Sequence, residues 1–174
     1  IFNNYSYKSN LSNEYVKIYN LLIDNFDRPT YTINYDNLSF TTAINNGKIN
    51  AEIKSGTINV TGNLMGRIID NDPKYNIRDP KNLERIDNDF TNLLNKKIPE
   101  FIKVLQDNNS DILGITRNYY KKTRTKDKDY WLKLDIKSNI KFNINKKGLI
   151  YDVERESWKK IIVYLYISYH TFFF

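Results

Sequence analysis

DIKSNIKFNINKKGLIYD, residues 135–152, carries the two-residue period of a half-buried strand: Ile136, Ile140, Phe142 and Ile144 alternate with Lys137, Asn139, Lys141 and Asn143. Residues 145–148 read as a turn, and residues 149–152 as a closing strand that makes a hairpin with the first. Just upstream, residues 110–120 read SDILGITRNYY. Ser110 is placed to cap a helix running to about Lys121, and Asp111 near its start suits the helix dipole. Ile112, Leu113, Ile115, Tyr119 and Tyr120 would pack that helix on a sheet, with Gly114 letting another backbone approach.

Working outward, Asp79 followed by Pro80 is a strong helix start. From there Leu83, Ile86, Phe90, Leu93, Leu94, Ile98, Phe101, Ile102 and Leu105 form a broad apolar stripe. Pro99 interrupts it, which predicts a kink or break near Ile98. Earlier still, residues 31–64 repeat with period two, in segments centred on Tyr31 to Tyr35, Leu38 to Ile44, Ile49 to Ile53 and Ile58 to Leu64. Asn46-Gly47 has the residues of a tight hairpin turn, and Ser55-Gly56 marks another. Leu11, Tyr15, Ile18, Tyr19 and Leu22 place a short amphipathic helix at residues 11–23, begun near Ser12. The pattern predicts an α+β fold, an antiparallel sheet with helices packed on one face.

The chain has 174 residues, enough for one domain with a real core and short for two. It begins at Ile1 and its only methionine is Met65, which predicts a piece of a longer protein. The net charge of +7 favours acidic partners such as anionic headgroups or nucleic acid. With no cysteine, the segment has neither disulfides, thiolate metal sites nor an acylated lipobox, so any lipid anchor lies upstream.

Taken in order, a long helix, an Asp-Ile-Leu-Gly segment (Asp111, Ile112, Leu113, Gly114), a linker bearing Trp131, and a strand closing on Gly148, Leu149 and Ile150 resemble the C-terminal domain of the spore germination lipoprotein family. These are the C subunits of nutrient germinant receptors, the Ger(x)C or GerAC-like proteins. The resemblance covers residues 11–152. It implies such a domain at 1–152, with the end of a preceding domain at 1–10 and an apolar tail at 153–174. In the tail Trp158, Ile161, Ile162, Leu165, Tyr166 and Tyr169 fit a helical stripe. The resemblance further implies a non-catalytic receptor subunit working beside integral membrane subunits. Its place would be the outer face of the spore inner membrane, held there by a lipid anchor outside this chain. One departure stands out: after Val60-Thr61-Gly62-Asn63-Leu64, Gly66 occupies about the place where the family commonly has an acid.

The motif residues have a sufficient structural reading as packing and capping groups. Arg117, Lys121, Lys122, Arg124, Lys126 and Lys128 cluster after the motif; they read either as a solvated helix end and loop, or as a docking patch for a membrane surface or an acidic partner. Catalysis has little to stand on. His170 is the only histidine and has no carboxylate at helical spacing, and no phosphate-cradling glycine loop occurs. Asp70 with Asp72, and Asp127 with Asp129, lack a surrounding calcium loop, so neither a cofactor nor a metal is expected. The alternative function is a small basic nucleic-acid-binding module, which needs aromatics beside lysines on a wet sheet face. Phe142 shares its face with Ile140 and Ile144 instead, so no nucleic acid is expected.

Overall fold

The computed structural model describes residues 2–3, 6–7, 10–23, 29–35, 38–71, 76–77, 79–124, 127 and 129–145. The expected turn beyond Asn145, the strand at 149–152 and the tail at 153–174 lie outside these residues. The elements are β1 (Phe2–Asn3), β2 (Ser6–Tyr7), α1 (Asn13–Leu22), β3 (Thr30–Tyr35), β4 (Leu38–Lys54), β5 (Thr57–Asn71), α2 (Pro80–Asp107), α3 (Ile115–Thr123), a 3-10 turn (Tyr130–Lys133) and β6 (Asp135–Ile144). A small ladder pairs β1 with β2, and the main sheet has the order β3-β4-β5-β6.

The helix starts follow the capping residues. Ser12 accepts the amide of Tyr15 at 3.3 Å, and Asp79 accepts that of Lys81 at 2.9 Å, each satisfying a donor that the first turn leaves free. α2 runs unbroken through Pro99, so no break occurs near Ile98. Ile98, Phe101 and Ile102 are all fully buried, and that anchoring on both sides holds the helix across the missing backbone bond.

Between residues 38 and 54 the structure has one strand where the period-two pattern suggested two. β4 does not turn at Asn46-Gly47; instead the register with β5 shifts between Ile44 and Asn46, a bulge. Gly47 sits at φ 140°, and a Cβ there would come within 2.4 Å of the Asn63 carbonyl. The same conformational freedom that makes a hairpin turn therefore makes a bulge in a continuous strand. The chain reverses at Ser55-Gly56, both at positive φ, closing a two-residue hairpin between Lys54 and Thr57.

The fold is α+β, as the pattern predicted, with a mixed sheet: β3, β4 and β5 pair antiparallel, and β6 lies parallel to β5, from Thr57 opposite Asp135 to Gly66 opposite Ile144. A parallel neighbour requires the chain to return to the start of β5. α2 makes that return. Its 28 residues span about 42 Å, against about 50 Å for the 15 residues of β5.

The core lies between the helices and one face of the sheet. Phe90 of α2 meets Phe142 of β6 with ring centres 5.2 Å apart, and Tyr15 of α1 meets Phe101 of α2 at 5.6 Å. Ile58, Val60, Leu64 and Ile140 present the buried sheet face, each fully shielded, and each such side chain contributes on the order of 2 kcal/mol. On the other face Thr61, Asn63, Met65, Arg67 and Ile69 of β5, and Lys137, Asn139, Lys141 and Asn143 of β6, are exposed. Among the described residues no helix is long and apolar enough to cross a membrane.

Candidate functional site

The segment joining α2 to α3 is built around Asp111. Its carboxylate accepts the amides of Ile115 at 2.9 Å and Thr116 at 2.7 Å, and also the Thr116 hydroxyl. α3 thus begins at Ile115 with Gly114 at its N-cap position, and the side chain that caps its first amides is Asp111, where the sequence suggests Ser110. Ser110 is buried, with its amide bonded back to the Leu105 carbonyl at 2.9 Å. Gly114 stands at φ 67°, in the left-handed region, so that the chain can turn into the helix below the carboxylate. A Cβ at Gly114 would meet nothing within 4 Å, so the glycine serves conformation and not the close backbone approach expected from the sequence. Ile115 is buried, and Ile112 and Leu113 pack half-buried against the core.

Trp131 is 2% exposed. Its turn is held by a side chain that sequence reasoning missed: Gln106, buried at the end of α2, donates to the carbonyls of Trp131 at 2.7 Å and Leu134 at 3.0 Å. The only signal was a glutamine next to Leu105 on the apolar stripe of α2. Tyr130 lies against Tyr119 of α3 with ring centres 5.5 Å apart and planes 16° apart.

A second missed group seals the outer edge of β6. Asp87 accepts the amide of Ile144 at 2.7 Å and Thr91 accepts that of Phe142 at 3.1 Å. Asn95 accepts that of Ile140 at 2.8 Å and also accepts the Ser138 hydroxyl at 2.8 Å. These three acceptors are four residues apart on α2, so they line one side of its apolar stripe. An edge strand left open would template pairing with another chain; here a helix supplies the partners. Gly66 of β5 lies beneath Phe142, whose ring would stand 2.6 Å from a Cβ at that position. A larger, acidic residue would collide with that ring.

The structure spreads the basic cluster. Arg117 and Lys121 are exposed, four residues apart on α3, and line an open depression with Thr116 and Tyr120. Lys122 reaches Glu52 of β4 at 3.5 Å, an exposed pair worth under about 1 kcal/mol. Arg124 ends the helix in the left-handed region and is exposed. Lys126 and Lys128 lie outside the described residues, as do Gly148, Leu149 and Ile150. Acids are interleaved with these bases. The Tyr120 hydroxyl donates to the Asp127 carbonyl, and its pKa is raised by burial and then by the charges of Asp127, Asp129 and Asp111. Tyr130 is raised too, by burial and by its neighbour Tyr119.

Asp70 is exposed, and its expected companion Asp72 lies outside the described residues. Among the described residues no three histidine, cysteine or acidic groups gather where a metal could sit. The exposed sheet face carries lysine, asparagine, threonine and Arg67 with Met65 and Ile69, and no aromatic ring among the described residues.

The family described as "Spore germination B3/ GerAC like, C-terminal" matches residues 1–153. Among solved structures, the one described as "Crystal Structure of the GerBC protein" is similar, with a TM-score of 0.61 and 18% identity over 77% of this chain. The match takes in 46% of that chain, so the present chain spans a little under half of it. At that identity the likeness is one of fold. No curated protein matches.

Proposed function

The chain belongs to the spore germination B3/GerAC-like C-terminal family, and from that membership we propose that it serves as a non-catalytic part of a nutrient germinant receptor, in its C subunit. It works by contact: with the integral membrane subunits of the receptor, and with the outer face of the spore inner membrane, where an upstream lipid anchor holds the full protein. The observation that carries this reading is how the motif is used. Asp111, Gly114 and Trp131 are taken up by capping, turning and packing, while Arg117 and Lys121 stand on the exposed face of the helix that they build. Two like charges four residues apart disfavour the helix slightly. An acidic partner on the receptor, or anionic headgroups, would relieve that repulsion.

The test is made in a spore former carrying the full-length protein with Arg117→Glu and Lys121→Glu. The expected result is slower nutrient-triggered germination at unchanged protein level, with less receptor subunit co-purified. Normal germination and normal co-purification would remove the α3 patch from the proposal. A normal nutrient response after deletion of the whole domain would remove the receptor role itself.

A further inference from the structure

The two edges of the main sheet are treated differently. β6 is sealed by Asp87, Thr91 and Asn95, whereas β3 covers only the first part of β4, from Leu38 to Ala43. Among the described residues the last backbone bond on that side of β4 is Ile44 donating to the Pro29 carbonyl at 3.1 Å. Beyond it, among the described residues, the side of β4 away from β5 has no strand beside it in the sheet; α3 packs against β4 and reaches Glu52 through Lys122. Because Lys54 and Thr57 flank a two-residue turn, they are a mutually hydrogen-bonded pair, and the pattern alternates from there. Ile49, Ala51 and Ile53 therefore direct their amides and carbonyls outward. Their side chains are only half-buried against the core, so a strand added there would both pair the backbone and cover them.

We propose that this edge pairs with the same edge of a second copy of the chain, antiparallel about a two-fold axis at Asn50. The sequence Lys48-Ile49-Asn50-Ala51-Glu52 is self-complementary about that centre. In the pairing Lys48 stands opposite Glu52 of the second copy, and Glu52 opposite its Lys48. Asn50 faces Asn50, and Ile49 exchanges both backbone bonds with Ala51. The two lysine-glutamate positions and the central asparagines are non-hydrogen-bonded pairs, where opposing side chains lie closest. Any other centre loses this match: about Ala51, Lys48 would meet Lys54. Lys48 and Asn50 are exposed, and Glu52 is half-buried and pairs weakly with Lys122 of its own chain. An isologous contact of this kind closes at two copies and does not propagate.

The charges make the proposal testable with the 174-residue chain. Lys48→Glu places glutamate opposite glutamate twice, and Glu52→Lys places lysine opposite lysine twice, so each variant alone should associate about tenfold more weakly than the parent. An equimolar mixture of the two variants restores both attractive pairs and should recover a species of twice the 20.7 kDa chain mass in sedimentation equilibrium. Weak association is captured covalently. The chain has no cysteine, so Asn50→Cys adds a single thiol, and opposite residues of a non-hydrogen-bonded pair are about 4.5 Å apart between Cα atoms, within disulfide range. Asn50→Cys should oxidise to a linked dimer much faster than Lys137→Cys, which sits two strands away on the exposed sheet face. Equal oxidation of the two cysteine variants, or a mixture that associates no better than its components, would overturn the proposal.

Discussion

The carboxamide of Asn95 donates to the carbonyl of Ile140 and accepts from the amide of the same residue, both at 2.8 Å. One helix side chain thereby does for β6 what an adjoining strand residue would do. Removing it leaves two backbone groups and the Ser138 hydroxyl without their partner. Asn95→Ala should cost about 2 kcal/mol in urea unfolding, and more than Thr91→Ala, whose hydroxyl serves a single amide. Hydrogen exchange at Ile140 should speed up in the same variant.

Asp111 and Gly114 act on the same helix start by different means. Asp111→Ala leaves the amides of Ile115 and Thr116 uncapped and should cost about 1 kcal/mol. Gly114→Ala forces a side chain into the left-handed region and should also cost about 1 kcal/mol, although it meets no neighbour. Circular dichroism during denaturant titration measures both losses; a neutral Gly114→Ala would contradict the conformational role.

Gln106 bridges two carbonyls in the turn that seats Trp131. Gln106→Leu keeps the volume and removes both donors, with an expected loss of about 2 kcal/mol. Loosening of the turn should shift the fluorescence of Trp131 to longer wavelength. In the background Trp158→Phe, Trp131 is the only tryptophan left, so the shift is read from that ring alone.

Tyr31 and Thr42 are cross-strand partners on the buried face, and neither hydroxyl has a hydrogen-bond partner among the described residues. Burial, with Glu14 adding to it, pushes the Tyr31 pKa well above the ordinary tyrosine range. An unfolded tyrosine ionises near pH 10. Above that pH the unfolded chain releases a proton that the folded chain keeps, so the contribution of Tyr31 to stability is level below about pH 10 and falls as the pH rises further. Tyr31→Phe should lessen that alkaline fall and leave the protein as stable or more stable at pH 8, because a buried hydroxyl without a partner is costly. Denaturant unfolding at pH 8 and pH 10.5 distinguishes the two proteins.

Local patterns in the chain were enough to locate most elements. The caps Ser12 and Asp79, the apolar stripe of α2, the alternation in β6 and the Ser55-Gly56 turn each depend on neighbours within a few residues. The order of a long helix, Asp111 to Gly114, Trp131 and a strand closing on Gly148 to Ile150 likewise points to the family that matches residues 1–153. Asn46-Gly47 misled because positive φ serves a bulge as well as a turn, and only the presence of Asn63 and Leu64 across the strand decides between them. Pro99 misled because the loss of one backbone bond is a local cost, whereas the burial of Ile98, Phe101 and Ile102 that holds the helix comes from packing.

The sequence by itself determined which faces are apolar, where helices begin and the α+β class, since these follow from periodicity and capping chemistry along the chain. Tertiary structure alone decided that β6 enters beside β5 in parallel, and that Asp87, Thr91, Asn95 and Gln106 are partners for backbone groups 25 to 57 residues away. A polar side chain at helical spacing has the same local preference whether it meets water or a strand edge. Which of the two it meets depends on where the rest of the chain is packed.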